Sequence, residues 1–115
     1  MSGRVVVIAS WTASYGNPIS VKAGDALRLT AKTDEWQGHR WLWAIDAHGR
    51  QGWIPEDLAE FRDGAVVARS DYSAAELTCS AGQVLTSVET VGGWQWCRSV
   101  DGQQGWVPSS NLAPA

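Results

Sequence analysis

One block of sequence occurs twice, and the rest of the chain has to be read around it. Trp41-Leu42-Trp43-Ala44 leads through Gly49 to Gly52-Trp53-Ile54-Pro55, and Trp94-Gln95-Trp96-Cys97 leads through Gly102 to Gly105-Trp106-Val107-Pro108. In each copy the last tryptophan stands 12 positions after the first. A strand, a glycine turn and a second strand ending in proline make a β-hairpin whose exit is stiffened by the fixed φ of proline. Two copies are too few for a solenoid, so the repeat predicts two small domains within 115 residues. Domains of that size bury little apolar surface. The block repeat therefore accounts for most of the tryptophan: 6 of the chain's 8 lie in it.

The flanking segments repeat in the same order. In the first copy a β-branched run (residues 4–9) precedes a loop marked by Gly16, Asn17 and Pro18, then a turn at Gly24 and an alternating strand with Leu27 and Leu29 inward. Residues 33–40 read as a polar loop before the Trp41 strand. In the second copy residues 65–69, a loop past Tyr72, a turn at Gly82 and residues 84–88 follow suit, with Ser87 falling where the first copy has Leu29. The copies differ in length only across two loops, as duplicated domains should. Arg62-Asp63-Gly64 is all that joins them, too short for a flexible tether. No stretch has sustained helical periodicity, and the expected class is all-β.

Several functions are excluded or disfavoured by composition. Lys+Arg 9 against Asp+Glu 12 gives a net charge of −3, and no basic cluster exists to neutralise phosphates, so neither nucleic acid nor an anionic membrane is expected as partner. Val5-Val6-Val7-Ile8 is too short for a signal-peptide core, and no apolar window is long enough to span a bilayer, so a soluble cytoplasmic protein is expected. Cys79 and Cys97 form no CxxC or metal-like cluster and are expected as buried free thiols. His39 and His48 flank opposite ends of one strand, roughly 15–20 Å apart, too far for shared chemistry. No catalytic residue, metal or cofactor is expected.

The ordered motifs resemble Src-homology-3 (SH3) domains, in the variant form found as tandem pairs in bacterial proteins. The resemblance rests on residues 9–13 and 19–25 in the first copy, on 70–74 and 77–82 in the second, and most closely on the two Trp-Pro hairpins. It implies two five-stranded SH3-like barrels in tandem, spanning residues 1–61 and 62–115. It also implies protein–protein interaction through an aromatic groove that takes extended, proline-containing peptides. The groove positions are Trp11, Trp41, Trp53 and Pro55 in the first domain, and Tyr72, Trp94, Trp106 and Pro108 in the second. Two tyrosines usual in such grooves are replaced in each copy, at Ala9 and Leu58, and at Ser70 and Asn111. Trp36, beside Asp34 and Glu35, and Tyr15 are candidates for contacts with a basic ligand residue; Glu76 is the acid nearest the second domain's opening loop. Two alternatives remain: a structural or oligomerisation module with degenerate grooves, and a cell-wall glycan-binding module that uses tryptophan as a sugar platform.

Overall fold

The computed structural model describes residues 3–14, 16–36 and 38–115. Its strands are β1 (Gly3–Val7), β2 (Ser20–Val21), β3 (Arg28–Trp36), β4 (His39–Ile45), β5 (Gln51–Pro55), β6 (Ala59–Arg62), β7 (Ala65–Ala68), β8 (Tyr72–Ser73), β9 (Val84–Val91), β10 (Trp94–Arg98), β11 (Gln104–Pro108) and β12 (Leu112–Pro114). Single 3-10 turns follow β5 at Glu56–Leu58 and β11 at Ser109–Asn111. The chain is all-β, as the alternation and turn residues require, although its ladders do not close into complete barrels.

Two compact units result, and their limits cut across the sequence repeats. One comprises Met1–Gly16 with Ala75–Ala115, the other Asn17–Ala74. A division at residues 61 and 62 is therefore not the division of the hydrogen-bonded structure. The cause lies in Asp63 (φ 50) and Gly64 (φ 79), both left-handed, which form a two-residue hairpin turn closing the Arg62↔Ala65 pair. Such a turn matches the natural twist of an antiparallel pair, and Asp-Gly is among its preferred sequences. It folds β7, the first strand of the second repeat, straight back on β6, the last strand of the first, in the register Ala59↔Ala68 to Arg62↔Ala65.

With β6 so engaged, β1 is paired instead between β9 and β12, through Val5↔Leu85 and Val7↔Leu112. The sheet that results has the order β11-β10-β9-β1-β12. The loop arms follow their strands: Trp11 bridges to Cys79, while β2 pairs with β8 through Ser20↔Ser73 and Val21↔Tyr72. Each unit thus takes its first strand and the following arm from the other repeat, a reciprocal exchange within one chain. The cores mix accordingly. Val7 is buried with Leu77, Cys79, Leu85, Cys97, Val107 and Leu112, and Ala68 and Ala74 are buried in the unit that holds Ile19, Leu27, Ala44 and Ile54.

Residues 33–40 are not the loop expected from their polarity. β3 runs to Trp36 and pairs back on β4 through Trp36↔His39, so this polar stretch is an exposed hairpin. Exposed strands need no inward apolar alternation, which removed the usual signal. The correspondence of Ser87 with Leu29 holds in the ladders: Leu29 faces Ala44, and Ser87 faces Cys97. Ser87 meets its half-buried position by donating its hydroxyl to Gln95 Oε1 at 2.7 Å.

Asp46 organises the turn between β4 and β5. Its buried carboxylate accepts bonds from the amides of Ser20, His48 and Arg50 and from Arg50 Nε at 2.7 Å. Burial pushes this carboxyl up, but the three amides and the guanidinium outweigh it and hold Asp46 below its ordinary value of 3.8. A depressed folded value stabilises the fold above the unfolded value, and that stability is lost as pH falls through the folded one. Acid titration of the Asn17–Ala74 unit, followed by thermal melts, is expected to show a loss of stability below about pH 4 that Asp46→Asn removes. An Asp46→Asn variant with the same acid limb as the wild type would contradict this account.

Candidate functional site

The two Trp-Pro hairpins form as the repeat predicts. β4 and β5 pair Trp41↔Pro55 and Trp43↔Trp53, and β10 and β11 pair Trp94↔Pro108 and Trp96↔Trp106. Strand alternation puts these four residues of each hairpin on one face and sends Ala44 and Cys97, both fully buried, to the core. Across each pair the rings meet edge to face, with centroids 5.1 Å apart for Trp43–Trp53 and 5.2 Å for Trp96–Trp106. That geometry sets the positive rim of one indole against the negative face of the other. Trp43 Nε1 donates to Gln51 Oε1 at 2.8 Å, and Trp96 Nε1 to Gln104 Oε1 at 3.1 Å, so the repeat extends to the polar anchors.

The exchange of strands regroups the expected groove residues. Trp11 stands edge to face with Trp94, centroids 5.5 Å apart, and so joins Trp106 and Pro108 rather than Trp41 and Trp53. Tyr72 donates its hydroxyl to the Trp53 carbonyl at 2.9 Å and so joins Trp41, Trp53 and Pro55. The positions of the missing tyrosines regroup in the same way: Asn111 Nδ2 donates to the Ala9 carbonyl at 3.0 Å. Trp36 lies near the tip of the β3–β4 hairpin, where it pairs with His39, two positions along the ladder from the Asp34↔Trp41 pair. Tyr15 lies outside the described residues.

Glu76, the acid beside the second repeat's opening loop, fixes Trp11. Its Oε1 accepts from Trp11 Nε1 at 3.1 Å and from both the amide and the hydroxyl of Ser14 at 2.9 Å. One carboxylate oxygen thereby ties the arm from the first repeat to the arm from the second. The contribution of Lys32 had no sequence signal. A register shift between Leu29 and Thr33 carries its Nζ over the Trp43 ring, 4.5 Å from the centroid, and 5.3 Å from that of Trp53.

Exposure differs along each face. Trp11, Trp94, Trp53, Pro55 and Tyr72 are half-buried, whereas Trp41 and Trp106 are each only 6% exposed. The Trp41 indole N–H is buried without an acceptor among the described residues. Cys79 and Cys97 are free and buried; burial, and secondarily the adjacent Cys79, push Cys97 up to about 11, and burial raises Cys79 as well. Thiols so shifted carry almost no thiolate at neutral pH.

A family model described as "Variant SH3 domain" matches residues 4–61 and again residues 66–115. No curated protein and no solved structure matches the chain.

Proposed function

Since the chain belongs to the variant SH3 domain family, whose members generally mediate protein–protein interactions, we propose that it binds extended, proline-containing peptides on its aromatic faces. The reading draws most support from the Trp11–Trp94 pair. Two half-buried indoles stand edge to face; the Glu76 carboxylate and the Trp11↔Cys79 bridge hold Trp11, and the ladder pair with Pro108 holds Trp94. Flat, fixed aromatic walls suit proline rings, and a peptide already in the polyproline conformation loses little entropy on docking. The second surface consists of Tyr72, Trp53 and Pro55. Because Glu76 is committed to Trp11 and Ser14, its role is to position the indole. A basic residue in the ligand is not required by this geometry.

Titration of the full chain with a proline-rich peptide library, followed by tryptophan fluorescence, tests the reading. Binders should lose at least tenfold in affinity on Trp94→Ala, because aromatic anchors dominate such interfaces. Glu76→Gln should weaken the same binders more mildly, through Trp11. A library with no ligand sensitive to Trp94→Ala or Trp53→Ala would refute it.

A further inference from the structure

The exchange of strands also builds a row of side chains that neither repeat contains alone. Arg4 on β1 pairs with Thr86 on β9, and Thr86 pairs with Arg98 on β10. Residues facing each other across adjacent strands point to the same side of the sheet. Here that is the side away from the core, since the neighbouring pairs Val5↔Leu85 and Ser87↔Cys97 face inward. The Cα atoms of Arg4 and Arg98 are therefore about 10 Å apart, two strand spacings, with the threonine between them. All three line a single concavity of about 250 Å³, flanked by Val84 and Val100. Val100 is 98% exposed, and neither arginine makes an ion pair among the described residues. Asp101, the acid of the adjoining turn, accepts the Ser99 hydroxyl.

We infer that the Arg4–Thr86–Arg98 concavity is a binding site for a dianionic phosphate group, whether free or carried by a larger molecule. Two guanidinium forks and a hydroxyl present more donors than one carboxylate accepts, and their two charges match a dianion. The pair leaves no basic run in the sequence, because only the pairing of β1 and β10 on either side of β9 brings Arg4 and Arg98 together. The other unit supplies an internal contrast. Its corresponding row is Ala65, Arg28 and Ile45, with one cation in the centre and none at the flanks. Arg98 shares the outer face of β10 with Trp94 and Trp96, but no aromatic residue lines the concavity, so phosphate and peptide binding are read by separate variants.

The test is an NMR titration of the full chain with inorganic phosphate at neutral pH, reading backbone amides and arginine Nε–H resonances. Sodium chloride at matched ionic strength and sodium acetate serve as comparison arms. Saturable shifts are expected at Arg4, Thr86 and Arg98, with a dissociation constant on the order of 1 mM and a clear preference over acetate. Arg4→Gln and Arg98→Gln should each weaken phosphate binding at least tenfold, while Arg28→Gln in the other unit should leave it unchanged. Both arginines of the site are exposed, so the variants' spectra should keep their dispersion. A phosphoserine peptide that binds more tightly than inorganic phosphate would place the group on a protein, and equal affinity would indicate a free oxyanion; each is compatible with the site. Shifts reproduced by chloride, equal affinity for acetate, or wild-type binding by either glutamine variant would overturn it.

Discussion

Val7→Asp is expected to unfold residues 75–115 while leaving residues 17–74 folded. Val7 belongs to the first repeat, yet it is 1% exposed, faces Leu112 and packs in a cluster whose other buried members all lie between residues 77 and 112. A carboxylate placed there has no basic partner, and an uncompensated buried charge costs several kcal/mol. A unit of some 57 residues has a total stability of only about 3–9 kcal/mol, so the loss is decisive. Val7→Ala should remove about 2–3 kcal/mol and lower the melting temperature without abolishing the fold. The mirror experiment is Ala68→Asp. It alters the second repeat but should unfold the Asn17–Ala74 unit, where Ala68 is 1% exposed and pairs with Ala59. Amide spectra with residue assignments read both results directly. If Val7→Asp instead collapsed residues 17–61 and spared 75–115, the repeats would be folding separately and the exchange would be wrong.

That reversal of domains shows what the sequence conveyed and where it fell short. The hairpins were legible because Trp41, Trp43, Trp53 and Pro55 recur at fixed spacing in the second copy, and fixed spacing in strands means a fixed face. The small core positions Ala44 and Cys97 followed from the same alternation. Pairing partners were not legible in this way, since β1 and β7 are both short β-branched runs and fit either last strand equally well. The deciding signal is local: Asp63-Gly64 is a two-residue hairpin sequence, and between two repeats it is indistinguishable from a short joint. Once that turn forms, β7 has no free chain with which to reach its own repeat, and β1 takes the vacant edges of β9 and β12.

The aromatic faces show the same division. Alternation places the hairpin tryptophans on one face, whereas Trp11 and Tyr72 each lie in the unit built mainly from the other repeat, because their arms travel with the exchanged strands. The burial of Trp41 and Trp106 depends on what packs over the sheet face, which alternation cannot specify. Lys32 reaches Trp43 only through a register shift, and Glu76 reaches Trp11 only across 65 residues of chain. Neither contact leaves a trace in local pattern.

Gly105→Ala should be strongly destabilising, and it should weaken the proposed peptide binding along with the fold. A Cβ at this position would lie 2.6 Å from the Leu77 nitrogen and 2.7 Å from the Glu76 carbonyl carbon. Both are backbone atoms, so no rotamer change relieves the clash. The segment cannot simply retreat, because Leu77 N donates to the Trp106 carbonyl at 3.0 Å and Trp106 N donates to the Ala75 carbonyl at 2.9 Å. Overpacking of this kind costs about 1–3 kcal/mol, and loss of the two buried backbone bonds adds about 1 kcal/mol each. The sum is comparable with the stability of the unit. The same shift would displace Glu76, and with it the bond that sets Trp11 against Trp94. Affinity for the proposed peptide ligand should therefore fall with melting temperature, and the amide of Leu77 should lose its protection from hydrogen exchange. Residues 17–74 should keep their own protection. A Gly105→Ala protein with unchanged melting temperature and a protected Leu77 amide would show that the arm does not pass over β11 at this distance.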